Sequence, residues 1–405
     1  MRSSICFLII LGVINNLYNQ RIVCSYNDDC KEMGISQTDF DHLNRRLSDI
    51  THTKMIFRDE ITLPLVFHVF NNPAEYKKID ESEIYFLLDK LNQAFQGQNY
   101  DQIKIPTEFR SYLGKSKVRF CIAQREINGI IEKGILFKTT DIKYFADQRF
   151  ESDIRKRKIK HSKYGGSDQW DSYGYINIWV GSMISSLGTS TFPDLPAELI
   201  DEEGIIIDPI VLNFSKLGKI LIHEMGHYFS LYHIWGNEEN ECLEDDGVGD
   251  TPQQFSPYYG CPQDVQVSCK SSDMYMNYMD YTDENCSLMF TQDQIARMES
   301  CLMQFRPGLL HSENCYLSKS SNNFLKDIFV FQLDNNIAIY YEKIEHPSIR
   351  ISLYDVSGKK TFSSVIKQGE TSYFIDKKNY SSGIYVLIFE TEDEYDIRKL
   401  VIFDP

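Results

Sequence analysis

Three histidines fall within eleven positions, His223, His227 and His233, in the stretch HEMGHYFSLYHIWG (residues 223–236). On a helix, positions i and i+4 share one face. His223 and His227 can therefore bind one Zn²⁺ through ring nitrogens at about 2.0–2.1 Å. Glu224, beside the first ligand, can reach a water on that metal and act as its general base. A continuous helix would carry His233 about 9 Å further along the axis and rotate it off the shared face. The helix is thus expected to stop after about Tyr228, with the chain turning back. The turn position, usually glycine, is Ser230 here, and a left-handed non-glycine residue costs on the order of 1 kcal/mol. A surface helix with incidental histidines is the alternative, and both the adjacent acid and the spacing argue against it.

The elements that must position these residues follow from hydrophobic periodicity. Residues 63–70 (LPLVFHVF) read as a central strand, and 118–121 and 175–180 as further strands. Residues 81–95 place Ile84, Leu87, Leu88, Leu91 and Phe95 at helical spacing. The apolar run 211–222 supplies a buried helix leading into the histidines. Residues 155–163 carry six Lys or Arg and read as an exposed basic loop. From residue 327 short alternating strands recur, near 328–333, 337–341, 349–354, 384–390 and 400–403, which suggests a small all-β sandwich.

The chain has 405 residues, 42% hydrophobic and 25% charged, enough for two or three domains. A formal charge of −16 argues against nucleic acid as a partner, since phosphate binding needs a basic surface. Arg2 followed by the apolar run 5–14 fits a signal peptide, here assigned to residues 1–24, and is too short to span a bilayer. No other stretch is long enough for a transmembrane span. Residues 25–58, polar and charged with a helical candidate at 39–47, read as a pro-segment. Export gives the ten cysteines meaning. The cluster Cys242, Cys261, Cys269 and Cys286 reads as a local disulfide framework; zinc is the alternative, but the spacing lacks C-x₂-C. Cys121, Cys301 and Cys315 leave one thiol free, or paired with Cys24 or Cys30.

Residues 223–236, with MNYMDY (residues 276–281) and GVGDTP (residues 247–252), resemble the signatures of pappalysin/ulilysin-like metzincin peptidases. The likeness covers roughly residues 60–316. It implies an α+β catalytic domain (residues 59–317), a twisted sheet plus helices over a loop-rich lower half. It implies His223, His227 and His233 as zinc ligands, with Glu224 activating the attacking water. Met279 would form the apolar floor of the Met-turn, and Tyr281 would stabilise the tetrahedral oxyanion. The same resemblance implies the pairs Cys242–Cys269 and Cys261–Cys286, and an upper-rim edge strand near residues 188–193. It raises a calcium site in the acidic stretch 238–250, through Glu244, Asp246 and Asp250; a solvated acidic loop is the alternative. Some relatives prefer a basic residue after the scissile bond, using an acid shortly before the last framework cysteine; here Asn285 directly precedes Cys286, with Asp283 and Glu284 nearby. A pro-segment thiol, Cys30, could block the metal as a latency cysteine, or could be a disulfide partner.

Residues 351–360 (ISLYDVSGKK), 381–387 (SSGIYVL) and 398–403 (RKLVIF) resemble the sorting domain of the type IX secretion route, here residues 324–405. The combined expectation is a secreted or cell-surface zinc metalloendopeptidase made as a proenzyme. Its partners would be polypeptide substrates and the secretion machinery. A non-catalytic secreted adhesin or binding protein with a structural metal site is the rival.

Overall fold

The structure, a computed structural model, describes residues 22–24, 57, 60–311, 314–315 and 328–402. Within these, 74–77, 100, 146–157, 184–185, 194–196, 211, 213–217, 237–241, 243–244, 333–335, 342–347, 356–358 and 392–394 are excepted, as are 58 and 59. The signal run, the helical candidate at 39–47 and Cys30 lie outside the described residues. The chain divides into two compact units, Met1–Tyr316 and Leu317–Pro405.

The first unit is built on a seven-stranded sheet in the order β1-β8-β9-β7-β2-β3, with β6 also paired to β2. Its strands are β1 (Ile22–Cys24), β2 (Ile61–Asn71), β3 (Val118–Ile122), β6 (Ile135–Thr139), β7 (Ile176–Val180), β8 (Ser186–Ser190) and β9 (Ile205–Ile207). A hairpin of β4 (Gln124–Ile127) and β5 (Ile130–Lys133) stands apart from it. The pairings of β2 with β3, β6 and β7, and of β7 with β9, are parallel. Parallel strands are covered on both faces, so they read as unbroken apolar runs. INIWV and III are buried throughout, and β2 is buried from Leu63 to Asn71. Only β8 runs against its neighbour β9. His68 in β2 shows what a structural histidine looks like here. Its ring nitrogens meet Ser167 Oγ at 2.8 Å and Asn177 Oδ1 at 3.0 Å, and burial lowers it to about 4.

Three helices complete the unit among the described residues: α1 (Glu81–Phe95), α2 (Lys219–Tyr228) and α3 (Gln292–Phe305). A capping box, Asp80 with Glu83, starts α1 at the residue that its periodicity predicts. The helix α3 starts on a second box, Thr291 with Gln294. Below α2 the chain is largely loop, with one small hairpin, β10 (Val267–Ser268) and β11 (Ser271–Ser272). In the basic stretch Lys158 and Lys163 are exposed as expected, residues 155–157 lie outside the described residues, and Lys160 departs from expectation. Lys158–Lys160 form a 3₁₀ turn in which Lys160 is buried, its ammonium 5.0 Å from the Trp179 ring and donating to the Glu202 carbonyl. The long lysine stem packs while the head finds a carbonyl, which a charge count does not reveal.

The second unit has two antiparallel sheets. One is β12 (Ile328–Gln332), β13 (Asn336–Tyr341) and β16 (Ser372–Asp376); the other orders β15 (Lys360–Lys367), β14 (Ser348–Asp355), β17 (Gly383–Glu390) and β18 (Tyr395–Ile402). Ile337 and Ile339 from the first share one core with Ile351, Leu353, Leu387 and Phe389 from the second. This is the small all-β sandwich. The described residues contain no helix long and apolar enough to cross a membrane.

Candidate active site

The helix α2 is buried along its whole length and anchored at both ends. Lys219 donates to Asp101 Oδ2 at 2.7 Å and to the Ser287 carbonyl. Beyond the other end, Arg306 pairs with Glu203, lies 3.6 Å from the Tyr228 ring centre, and donates to the Tyr228 carbonyl at 3.3 Å. Buried charges of this kind are tolerable only when matched. After Tyr228 the chain turns through Ser230 at φ 75°, the left-handed conformation expected there. Leu231 N–H closes the turn on the Gly226 carbonyl at 2.9 Å, and Arg297 Nε donates to the Ser230 carbonyl at 2.9 Å.

The turn brings the third histidine back. His223 Nδ1 donates to the Tyr278 carbonyl at 2.6 Å, and His227 Nδ1 to the Leu231 carbonyl at 2.7 Å. Those bonds leave both Nε2 atoms unprotonated. His227 Nε2 lies 3.1 Å from His223 Nε2 and 3.1 Å from His233 Nε2. Two ligands on a tetrahedral Zn²⁺ at about 2.05 Å stand about 3.3 Å apart, so the donor set fits zinc. Burial lowers His223 to about 4. Burial, with the neighbouring imidazoles, holds His227 and His233 well below the ordinary range. All three rings are therefore neutral, the form that ligates. Among the described residues these three form the one metal-capable group of His, Cys, Asp and Glu.

Glu224 is buried on the same helix, directly under β8: a Cβ on Gly188 would come within 2.6 Å of Glu224 Oε1. Met279 is buried beneath the histidines, and a Cβ on Gly226 would meet its sulfur at 2.5 Å. Met279 N–H donates to Asn277 Oδ1 at 2.9 Å, and Asn277 exchanges side-chain amide bonds with Gln294 of α3 at 2.8 and 3.1 Å. The Tyr281 ring stands 4.9 Å from that of His233 and 5.9 Å from that of His223. Trp235 stacks on His233 at 4.4 Å.

Cys242 is bonded to Cys269 and Cys261 to Cys286, and a third bridge joins Cys121 to Cys315. Cys301 is free, and burial pushes its thiol up to about 12. Of the calcium candidates, Glu244 lies outside the described residues. Asp250 Oδ2 accepts from Asp293 N–H at 3.0 Å, in the first turn of α3. Asp246 Oδ1 accepts from Val248 N–H at 3.1 Å and from Thr251 Oγ1 at 2.7 Å. Glu284 is buried and its charge acts on Lys219. The sequence reading missed the Asn277–Gln294 clamp, although Thr291-x-x-Gln294 was a visible capping signal. It also missed β1, whose Ile22 and Cys24 pair in parallel with Ser186 and Gly188.

Two helix-borne histidines, a third behind a turn, a methionine floor and a sheet above them define a zinc metallopeptidase of the metzincin type. Residues 160–303 match the sequence family described as Pregnancy-associated plasma protein-A, and residues 332–403 match the secretion system C-terminal sorting domain. The chain is 30% identical over 218 residues to an extracellular metalloprotease of Arthroderma otae, covering 45% of this chain and 75% of that protein. It is 45% identical over 95 residues to one of Pyricularia oryzae, covering 23% and 33%. It spans half the length of extracellular metalloproteases of Arthroderma benhamiae and Trichophyton verrucosum. A promirolysin mutant of Tannerella forsythia superposes with a TM-score of 0.61 at 25% identity, over 71% of this chain and 97% of that one. Mature mirolysin of that organism, in complex with a cleaved peptide, gives 0.57 at 29%, over 63% and 97%. The chain belongs to the pregnancy-associated plasma protein-A family of metallopeptidases. It is a secreted zinc metalloendopeptidase, and the adhesin alternative gains no support.

The contact between Gly188 and Glu224 yields a direct test. Gly188→Ala should push the carboxylate aside and lower kcat/KM by about 10²-fold, the scale of an ångström misplacement, while zinc stoichiometry by metal analysis stays unchanged. Full activity in that variant would contradict the packing described.

Proposed function

We propose that His223, His227 and His233 hold the zinc and that Glu224 is the general base for peptide-bond hydrolysis. The observation that carries this reading is the convergence of three neutral, buried Nε2 atoms beside a buried carboxylate on one helix. When bound, zinc supplies Lewis acidity, polarising the scissile carbonyl and lowering the pKa of water. Glu224 takes a proton from the attacking water and passes it to the departing amine. Tyr281, beside His233, donates to the developing oxyanion. Met279 packs under Gly226 and holds the ligand helix at fixed height. Substrates are polypeptides. Residues 59–317 form the catalytic part, and 324–405 address the chain to a secretion machinery of the type IX kind.

Cys24, in a strand on β8, is the candidate latency cysteine among the described residues, and Cys30, which lies outside them, stands as the alternative. An extended polypeptide binds a sheet by adding a strand to its edge. The strand β1 covers that edge of β8 with this chain's own N-terminal segment. Cys24 falls opposite Gly188, the residue that packs on Glu224. On this reading the pro-segment would include Ile22–Cys24, and signal cleavage would fall ahead of them, earlier than the expected end at residue 24.

Calcium beside the acidic loop is supported by one atom. Asp246 Oδ2 is buried with no hydrogen-bond partner, and burial raises this carboxyl to about 7. A raised carboxyl favours the folded state at low pH and loses that contribution as pH rises through 7. A cation that offsets the buried charge therefore matters most above that pH.

Three outcomes are expected. Glu224→Ala should keep zinc while lowering peptide hydrolysis by at least about 10³-fold, and a zinc chelator should abolish wild-type hydrolysis; a variant as active as wild type would remove the mechanism. In the unprocessed proenzyme, Cys24→Ala should release activity without chain cleavage and Cys30→Ala should not; the reverse pattern would return latency to Cys30. Added calcium should raise the melting temperature more above pH 7 than below it, and an equal or absent rise would dismiss that ion.

A further inference from the structure

The loop in front of the metal site carries an exposed aromatic ring on a backbone that is tied on both sides. Tyr259 is 66% exposed. On one side, Tyr258 N–H donates to Asp280 Oδ1 at 2.8 Å, and its hydroxyl donates to Asp273 Oδ2 at 2.6 Å. On the other, the Gly260 carbonyl accepts from Asp283 N–H at 2.9 Å, and Cys261 is bonded to Cys286. The Asp280 carboxylate also accepts from Tyr281 N–H at 2.7 Å and from Gln254 Nε2 at 2.8 Å. One buried carboxylate thus fixes both the loop and the tyrosine next to His233. The result is a graded series of rings. Tyr259 stands 6.0 Å from Tyr281, and Tyr281 stands 4.9 Å from His233.

The surroundings select a chemistry. In a chain of net charge −16, residues 253–267 hold no Lys or Arg and a single acid, Asp264. The same stretch exposes Phe255, Val265 and Val267. The backbone around Tyr259 is held, and a tyrosine side chain has only two torsions to order, so contact with it costs little conformational entropy. Its face suits an aromatic or large aliphatic side chain. Continuity with the metal site, ring to ring, makes the substrate itself the occupant.

We propose that Tyr259 is a specificity-determining residue, which receives an aromatic or large aliphatic side chain of the polypeptide substrate close to the scissile bond. This rests on the peptidase reading above and adds the substrate preference. The test is a peptide-library cleavage profile of the matured enzyme as wild type, Tyr259→Ala and Tyr259→Phe, each with its zinc content measured. Wild type should enrich Phe, Tyr, Leu or Ile at one subsite. Tyr259→Ala should lose that enrichment, with kcat/KM falling about tenfold on peptides carrying those residues and little on peptides with Ser there. Tyr259→Phe should restore it. An unchanged profile in Tyr259→Ala, or a uniform loss across all peptides, overturns this proposal and leaves the peptidase reading standing. A wild type that cuts nothing overturns both.

Discussion

The Nε2 lone pairs of His223 and His227 meet 3.1 Å apart in a buried space, with His233 Nε2 3.1 Å from that of His227, and they repel one another unless something positive sits between them. The Nδ1–H groups of His223 and His227 donate to neighbouring carbonyls, so these neutral rings have no hydrogen to share at the meeting point. Burial resists protonation, the other way to relieve the repulsion. A divalent cation removes it for all three rings at once, and much of the catalytic unit can be understood as enforcing that geometry.

The enforcement is distributed. Matched charges secure both ends of α2, Lys219 with Asp101 and Arg306 with Glu203. Ser230 accepts a left-handed backbone so that His233 can return, and Arg297 holds its carbonyl. The floor is set by Met279 against Gly226, where any side chain would collide. Above, Gly188 lets β8 approach Glu224 more closely than a residue with Cβ could. Here a strand, a buried carboxylate and three converging imidazoles come within one layer of packing, a geometry suited to holding an extended chain across a reactive centre.

The site was largely legible because its chemistry is local. A spacing of four on a helix and a compulsory turn before His233 are one-dimensional facts, and both appear, although α2 begins at Lys219 behind a left-handed Gly218 and not at residue 211. Helix α1 was equally plain, with its apolar stripe and capping box. What stayed hidden depends on contacts distant in sequence. The Asn277–Gln294 exchange joins a loop to a helix, and the Lys219–Asp101 pair spans 118 positions. Strand β9 carries too few residues to show a period, and β8, whose SLGTS lacks β-branched density, is expected only through the family resemblance, near residues 188–193. Lys160 misleads for a related reason: its charge suggests solvent, while a carbonyl and an indole ring inside the fold satisfy it.

The central claim concerns what the three nitrogens share, so the most direct measurement is X-ray absorption at the zinc edge of the purified protein, with metal content determined alongside. One zinc per chain, coordinated by three imidazole nitrogens at about 2.0–2.1 Å with oxygen completing the shell, is the result predicted here. A sulfur-dominated shell, or a chain that carries no zinc after reconstitution, would contradict it.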